Sequence, residues 1–208
     1  MDSNEVRRQW LDRSGEYSPE YYAHHGPDRR SESVRDVLEE FCDRDARVLE
    51  LGCGVGRHLE HCRQHGFENL SGVDINEEAF ETMEAAYPDL AATGTFYCDA
   101  IEDVVGEFAD GQFDAVFSVE TLQHVHPDAD WVFGEVARIT DDLLVTVENE
   151  GETGPDESPE DDVNYVNDDF PLYYRDWGQV FTDRGLVQVA VEPGDRDTLR
   201  AFRHEDHR

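Results

Sequence analysis

The stretch Val48-Leu49-Glu50-Leu51-Gly52-Cys53-Gly54-Val55-Gly56-Arg57 carries the chemistry most legible in the chain. A short apolar run reaches an acid and then breaks into glycines on alternate positions. The run predicts a buried parallel strand, the glycines a tight turn, and residues 56–65 a helix behind it. A glycine takes positive φ, or admits a ligand close to the backbone, where a Cβ would stand in the way. The helix directs its free N–H groups and positive dipole end at the turn, so an anionic group belongs there. A nucleotide P-loop would need Gly-Lys-Ser/Thr, and the chain contains no lysine. A dinucleotide fingerprint wants its third glycine three places after the second, and that place is Arg57. A second acid, Asp74, closes the strand Leu70-Ser71-Gly72-Val73-Asp74 about 20 residues beyond Gly52, where a carboxylate can accept both hydroxyls of a ribose.

These residues need a framework, and the hydrophobic pattern supplies one. Val34, Val37, Leu38 and Phe41 follow a helical period over 31–42. Asn76 is positioned to cap the helix after Asp74. Residues 94–98 read as a third strand, with Asp99 in the turn after it and able to cap the short helix that follows. Residues 113–119 are nearly all apolar, as a strand buried on both faces at the sheet centre would be. A helix over 128–139 and a fifth strand over 143–147 come next. Residues 149–169 read as a long acidic loop, functional or mobile by its length, or a salt-solvating insertion. Phe170 to Trp177 leads into a helix ending near Gly185. Strands over 186–191 and 198–202 are joined by a Pro193-Gly194-Asp195 turn, so the last strand runs antiparallel. His58, Cys62 and His65 share one face of the helix behind the glycine turn, but no fourth ligand accompanies them, and no metal site is expected. His124 and His126 follow the central strand at the end of the sheet where ligands of open α/β folds bind, which makes both candidates for touching substrate.

Glu-x-Gly-x-Gly-x-Gly at Glu50–Gly56 is similar to motif I of the class I S-adenosylmethionine-dependent methyltransferases, and Val73-Asp74-Ile75 resembles their motif II. The resemblance implies a Rossmann-like, doubly wound α/β sheet, mostly parallel, with a C-terminal antiparallel hairpin strand. It implies S-adenosylmethionine as cofactor, leaving S-adenosylhomocysteine as product. By it, Glu50, Gly52, Cys53, Gly54, Gly56 and Arg57 belong to the cofactor loop, with Asp74 and Ile75 at the ribose. Asp99 would accept from the adenine amino group, with Ala100 contacting the ring. Ser118, Val119 and the segment Glu120-Thr121-Leu122-Gln123-His124-Val125-His126-Pro127 resemble the motif IV region that lines the methyl-transfer end. The Asn-Pro-Pro-aromatic motif of nucleobase and glutamine amide methylases is absent. The implied reaction is methyl transfer to an oxygen, nitrogen or other nucleophile of a small molecule, with His124 or His126 as the candidate base. A non-catalytic binding module and a nicotinamide oxidoreductase are the rival readings; Arg57 and the terminal hairpin disfavour the second.

Residues 1–30, rich in aromatics (Trp10, Tyr17, Tyr21, Tyr22), read as a helical lid or a surface segment pinned to the main domain of 31–208, with Ser18 capping a helix that Pro19 opens. The cysteines form no CxxC pair, the first residues are acidic and polar, and no apolar run approaches a membrane span, so a cytoplasmic protein is expected. Acidic residues number 50 against 17 basic ones, all arginine, for a formal charge of −33. No basic cluster is available to neutralise phosphates, which argues against nucleic acid. The composition resembles that of proteins from extreme halophiles. Self-repulsion opposes compaction in dilute buffer and is screened when the Debye length falls from about 10 Å to about 3 Å at molar salt. The melting temperature should therefore rise steeply from dilute buffer to molar KCl. A flat profile would mean that the charges are compensated locally.

Overall fold

The structure is a computed structural model that describes residues 3–11, 18–151, 163–166 and 170–205. Its strands are β1 (Arg47–Leu51), β2 (Asn69–Asp74), β3 (Thr95–Cys98), β4 (Phe113–Val119), β5 (Thr140–Glu148), β6 (Val163–Val166), β7 (Phe170–Tyr173), β8 (Leu186–Pro193) and β9 (Thr198–His204). All but β6 and β7 form one sheet in the order β3-β2-β1-β4-β5-β9-β8. The five strands from β3 to β5 are mutually parallel, whereas β9 runs antiparallel to both β5 and β8. The chain winds outward from β1 to β3 and then returns to β4 on the other side of β1. That reversal opens a crevice between the C-terminal ends of β1 and β4, the position where open α/β sheets bind ligands.

Alternation along the strands sends side chains to two cores. Leu49, Leu51, Val116 and Leu144 face α7 (Ile101–Val104), α8 (Val132–Ile139) and α9 (Trp177–Thr182) through Val104, Val136, Trp177 and Phe181. Val48, Ala115, Phe117, Leu143 and Val145 face the opposite layer: α3 (Arg29–Phe41), α4 (Arg57–Gln64), α5 (Glu77–Ala86) and α6 (Pro88–Thr93). Burial on both faces accounts for the nearly continuous apolar run of β4. Two shorter helices, α1 (Ser3–Leu11) and α2 (Pro19–His25), precede this sandwich.

Local signals set several boundaries. Ser18 Oγ accepts Tyr21 N–H at 3.3 Å, with Pro19 opening α2. Asp28 caps α3 by accepting Arg30 N–H and Ser31 N–H, while Ser31 Oγ accepts Asp28 N–H, so the helix starts at Arg29, before the expected 31. Asn76 Oδ1 caps α5 as the sequence indicates, taking Glu78 N–H at 3.0 Å.

Three expectations are corrected. The helix expected over 128–139 is a single 3₁₀ turn, Pro127–Ala129, followed by α8 from Val132. The stretch 149–169 contains β6, which pairs antiparallel with β7; residues 152–162 and 167–169 of the expected loop lie outside the described residues. The β-prone residues of β6 were hidden by the acids around them. The following helix spans only Trp177–Thr182. Among the described residues no helix is long and apolar enough to cross a membrane.

Trp177 is fully buried, with Phe133 edge-on at 5.3 Å and Phe181 stacked at 6.3 Å. Trp177→Ala should lower stability by roughly 3–5 kcal/mol in denaturant unfolding, since the cavity sits among rigid aromatic neighbours. A loss below about 1 kcal/mol would show that this layer collapses to fill it.

Candidate functional site

The crevice is a cleft with about 1010 Å³ of empty volume, part of it open to solvent. Its floor is the turn after β1. Gly52 N–H and Cys53 N–H both donate to Val73 O, at 2.8 and 2.9 Å, and Gly56 N–H donates to Cys53 O. Asp74 completes the floor. Its Oδ2 accepts Gly54 N–H at 2.7 Å and its Oδ1 accepts Asn76 N–H at 2.9 Å. Asp74 is buried and lines the cleft, with Ile75 and Ala100 beside it.

One wall is the loop after β4. Thr121 packs against the glycine turn so closely that a Cβ on Gly52, at φ +72°, would fall inside the Thr121 side chain. Glu120 is the non-glycine residue at positive φ (+50°) among those described, and its side chain lines the cleft. Burial raises its pKa against the pull of Arg30 and Arg196. A residue held in that region costs of order 1–3 kcal/mol and persists where the surroundings over-determine it.

His124 sits three residues beyond Thr121, in the 3₁₀ turn Leu122–His124. Its Nδ1 lies 2.8 Å from Pro171 O, an acceptor, so Nδ1 carries the proton. Gln123 agrees from the other side: its Oε1 takes Asn149 N–H at 2.7 Å, which turns its amide Nε2 toward His124 Nε2 at 3.4 Å. His124 Nε2 is therefore the acceptor of the ring. Trp10 from α1 stands 4.5 Å from the imidazole, centroid to centroid.

The rest of the lining comes from Val6, Arg7 and Trp10 of α1, Tyr22 of α2, and Arg57 and His58 of α4, among others. Arg57 bonds Asp28 at 3.0 Å and lies over the Tyr22 ring. Arg7 pairs with Glu102 and Asp103. Burial, then the nearby Arg57, pushes His58 down to about 3, which keeps it neutral and 2.7 Å from Ser31 Oγ.

Not every residue singled out in the sequence reaches this cleft. Gly52, Cys53, Gly54, Arg57, Asp74, Ile75, Ala100, Val119 and His124 line it. Glu50 is buried beneath the turn, both carboxylate oxygens without a hydrogen-bond partner, and burial raises its pKa well above the carboxylate range. Gly56 packs instead on Leu90 and Met83, which a Cβ would meet at 2.8 Å. Ser118 is buried and donates to Glu148 at 2.6 Å. Asp99 is exposed beside the cleft and accepts Ala100 N–H; the cap of α7 is Ala100. His126 turns away: its Nδ1 accepts Asp128 N–H and its ring meets Tyr173 edge-on. A proline at 127 holds that turn, so the two histidines diverge.

Glu148 carried no assignment in the sequence, and Glu120 only its place in the segment that resembles motif IV. Glu148 accepts hydrogen bonds from Ser118 Oγ and from the N–H groups of Thr121, Leu122 and Gln123. The signal that could have found it is the one that found Asp74: an acid closing an apolar strand. Among the described residues no three histidine, cysteine or acidic side chains gather as metal ligands.

Residues 49–142 match the family model described as a methyltransferase domain. Over 126 residues, 59% of this chain and 49% of the relative, the sequence is 31% identical to a ubiquinone biosynthesis O-methyltransferase of Neisseria meningitidis serogroup C. Over 110 residues, 52% of this chain and 29% of the relative, it is 30% identical to 24-methylenesterol C-methyltransferase 2 of Oryza sativa subsp. japonica. The matches thus span less than half the length of these curated relatives. Among solved structures, 1,6-didemethyltoxoflavin-N1-methyltransferase of Burkholderia thailandensis superposes with a TM-score of 0.72 at 15% identity, over 97% of this chain and 88% of that one. The sheet order, with its antiparallel end, is the class I S-adenosylmethionine-dependent methyltransferase fold, as the solved structure shares it.

Gly52→Ala should cost roughly 1–3 kcal/mol, from positive φ and from overpacking against Thr121, whose Oγ1 is tied to Val119 O at 3.1 Å. Gly134→Ala in α8, where an added Cβ meets nothing within 4 Å, should instead stabilise by about 0.5–1 kcal/mol. Equal melting shifts for the two variants would contradict the packing of the β4 loop on the glycine turn.

Proposed function

We propose that this chain is an S-adenosylmethionine-dependent methyltransferase acting on an oxygen, nitrogen or other nucleophile of a small-molecule acceptor. The observation that carries the reading is Asp74, a buried carboxylate bonded to the glycine turn and open to the cleft at the distance from that turn that suits a ribose diol. The cleft arginines, Arg7 and Arg57, are paired with acids, so their charge is met within the chain.

The roles follow from position. Gly52, Cys53 and Gly54 would cradle the amino-acid portion of the cofactor, Asp74 the ribose, and Ile75 and Ala100 the adenine. Bound there, the cofactor supplies an electrophilic methyl group on a sulfonium. The chain contributes alignment and the exclusion of water. Trp10 and Val6 of α1 would close the methyl-transfer end, which favours the lid over the surface segment as the role of the N-terminal residues. His124 can take a proton at Nε2 while Nδ1–H stays on Pro171 O, the arrangement of an oriented general base. That oriented imidazole favours an enzyme over a binding module that has kept the fold.

Calorimetry should register S-adenosylhomocysteine binding, no measurable NAD binding, and loss of most of the S-adenosylhomocysteine affinity in Asp74→Ala. With a methylated acceptor identified by product mass, His124→Ala should lower turnover roughly 100-fold if it acts as base, and should raise acceptor KM alone if it only shapes the pocket. Binding of NAD in place of S-adenosylhomocysteine would overturn the assignment.

A further inference from the structure

We infer that Glu148 is the positioning residue of this site: its carboxylate, supplied by the neighbouring strand, holds the His124 loop in register with the glycine turn. The kinetic part of this inference rests on the methyltransferase reading; the structural part does not.

The geometry is that of a helix cap delivered from another strand. The loop after β4 enters the 3₁₀ turn Leu122–His124, whose first N–H groups have no partner within the turn. They converge on Glu148. Its Oε1 accepts Ser118 Oγ–H at 2.6 Å, Leu122 N–H at 3.1 Å and Thr121 N–H at 3.3 Å, and its Oε2 accepts Gln123 N–H at 3.2 Å. One fully buried side chain thus fixes three consecutive peptides, those next to His124 and those packed on Gly52. Gln123 continues the chain of contacts through Asn149 N–H and toward His124 Nε2.

The charge state of Glu148 should therefore govern the loop. Burial raises its pKa, and the bonds from Ser118, Gln123, Leu122 and Thr121 pull it back, leaving it at about 7. The charged groups around it are otherwise engaged. Arg175, depressed by burial, donates to Val125 O; Glu150 is paired with Arg200; Glu120 is paired with Arg30 and Arg196. Ionised, the carboxylate only accepts, and four donors meet it. Protonated, it brings a further O–H donor into a ring of donors, and the loop must rearrange to receive it. Order around His124 is then present above the Glu148 pKa and lost as pH falls through it. The sign for global stability is opposite: a folded-state pKa raised above the usual carboxylate value contributes stability at low pH that is lost as pH rises through about 7.

The amide protons of Leu122 and Gln123, followed by NMR across neutral pH in the full chain, give the test. Both should move downfield together with an inflection near 7, the move should vanish in Glu148→Gln, and Ser118→Ala should shift the inflection upward by removing a bond to the ionised form. Ser118→Ala keeps the carboxylate in place, so it carries the test if Glu148→Gln does not fold. Amides that do not titrate, or that titrate unchanged in either variant, would overturn the inference. Given a methylated acceptor, Glu148→Gln should lower turnover roughly 10- to 100-fold, abolish the acid limb of the rate profile and leave S-adenosylhomocysteine affinity intact. Unchanged turnover with an unchanged pH profile would also overturn it. Titrating amides in a chain that methylates nothing would uphold the positioning of the loop and count against the methyltransferase reading instead.

Discussion

The cleft hangs on a single carboxylate. Asp74 accepts the Gly54 and Asn76 N–H groups with its two oxygens, joining the glycine turn, the end of β2 and the start of α5 through one side chain. Hydrogen bonds to an ionised acceptor are roughly twice as strong as neutral ones, and burial keeps water from competing. Glycine loses more backbone freedom on ordering than any other residue, so a turn with three of them at positive φ needs such an anchor. Val73 O adds two further bonds to the same turn. The remaining walls are measured from it, since Thr121 packs on Gly52 and His124 follows Thr121 by one short turn.

Three strands carry buried acids at or next to their C-terminal ends: Glu50 on β1, Asp74 on β2 and Glu148 on β5. Burying a carboxylate is costly unless it is neutralised or fully bonded, and the three reach different solutions. Glu50, unpartnered, is driven toward its neutral form. Asp74 is held by two peptides at the cleft surface. Glu148 gathers four donors and stays near balance at neutral pH. Ion pairs with an exposed partner, such as Arg47–Asp114 and Arg138–Asp110, contribute little individually.

The sheet alone leaves the crevice open on the side of His124. Two added pieces cover it: α1, which brings Val6 and Trp10, and the β6–β7 hairpin, whose Pro171 O orients the imidazole. Arg175, just past β7, donates to Tyr173 O and Val125 O while resting on the Phe133 and Trp177 rings, so hairpin, loop and core are tied together. Both pieces lie outside the segment that matches the methyltransferase-domain model.

What the sequence determined is the part whose physics is local or periodic. Apolar runs wrote the central strands, caps such as Ser18 and Asn76 wrote helix starts, and alternate glycines followed by an acid at fixed distance wrote the floor of the cleft. The terminal hairpin followed from turn chemistry. The tertiary structure decided which side chains face one another. It turned Ser118 toward Glu148 and His126 toward its own turn, left Asp99 beside the cleft, and closed a β-hairpin inside a stretch whose acidity read as loop. It also made Glu148 the partner of peptides some 25 residues away. No local pattern encodes that pairing, because strand neighbours in a doubly wound sheet are set by the order in which β4 and β5 pack, and the donors of a one-turn helix take whichever acceptor that packing brings.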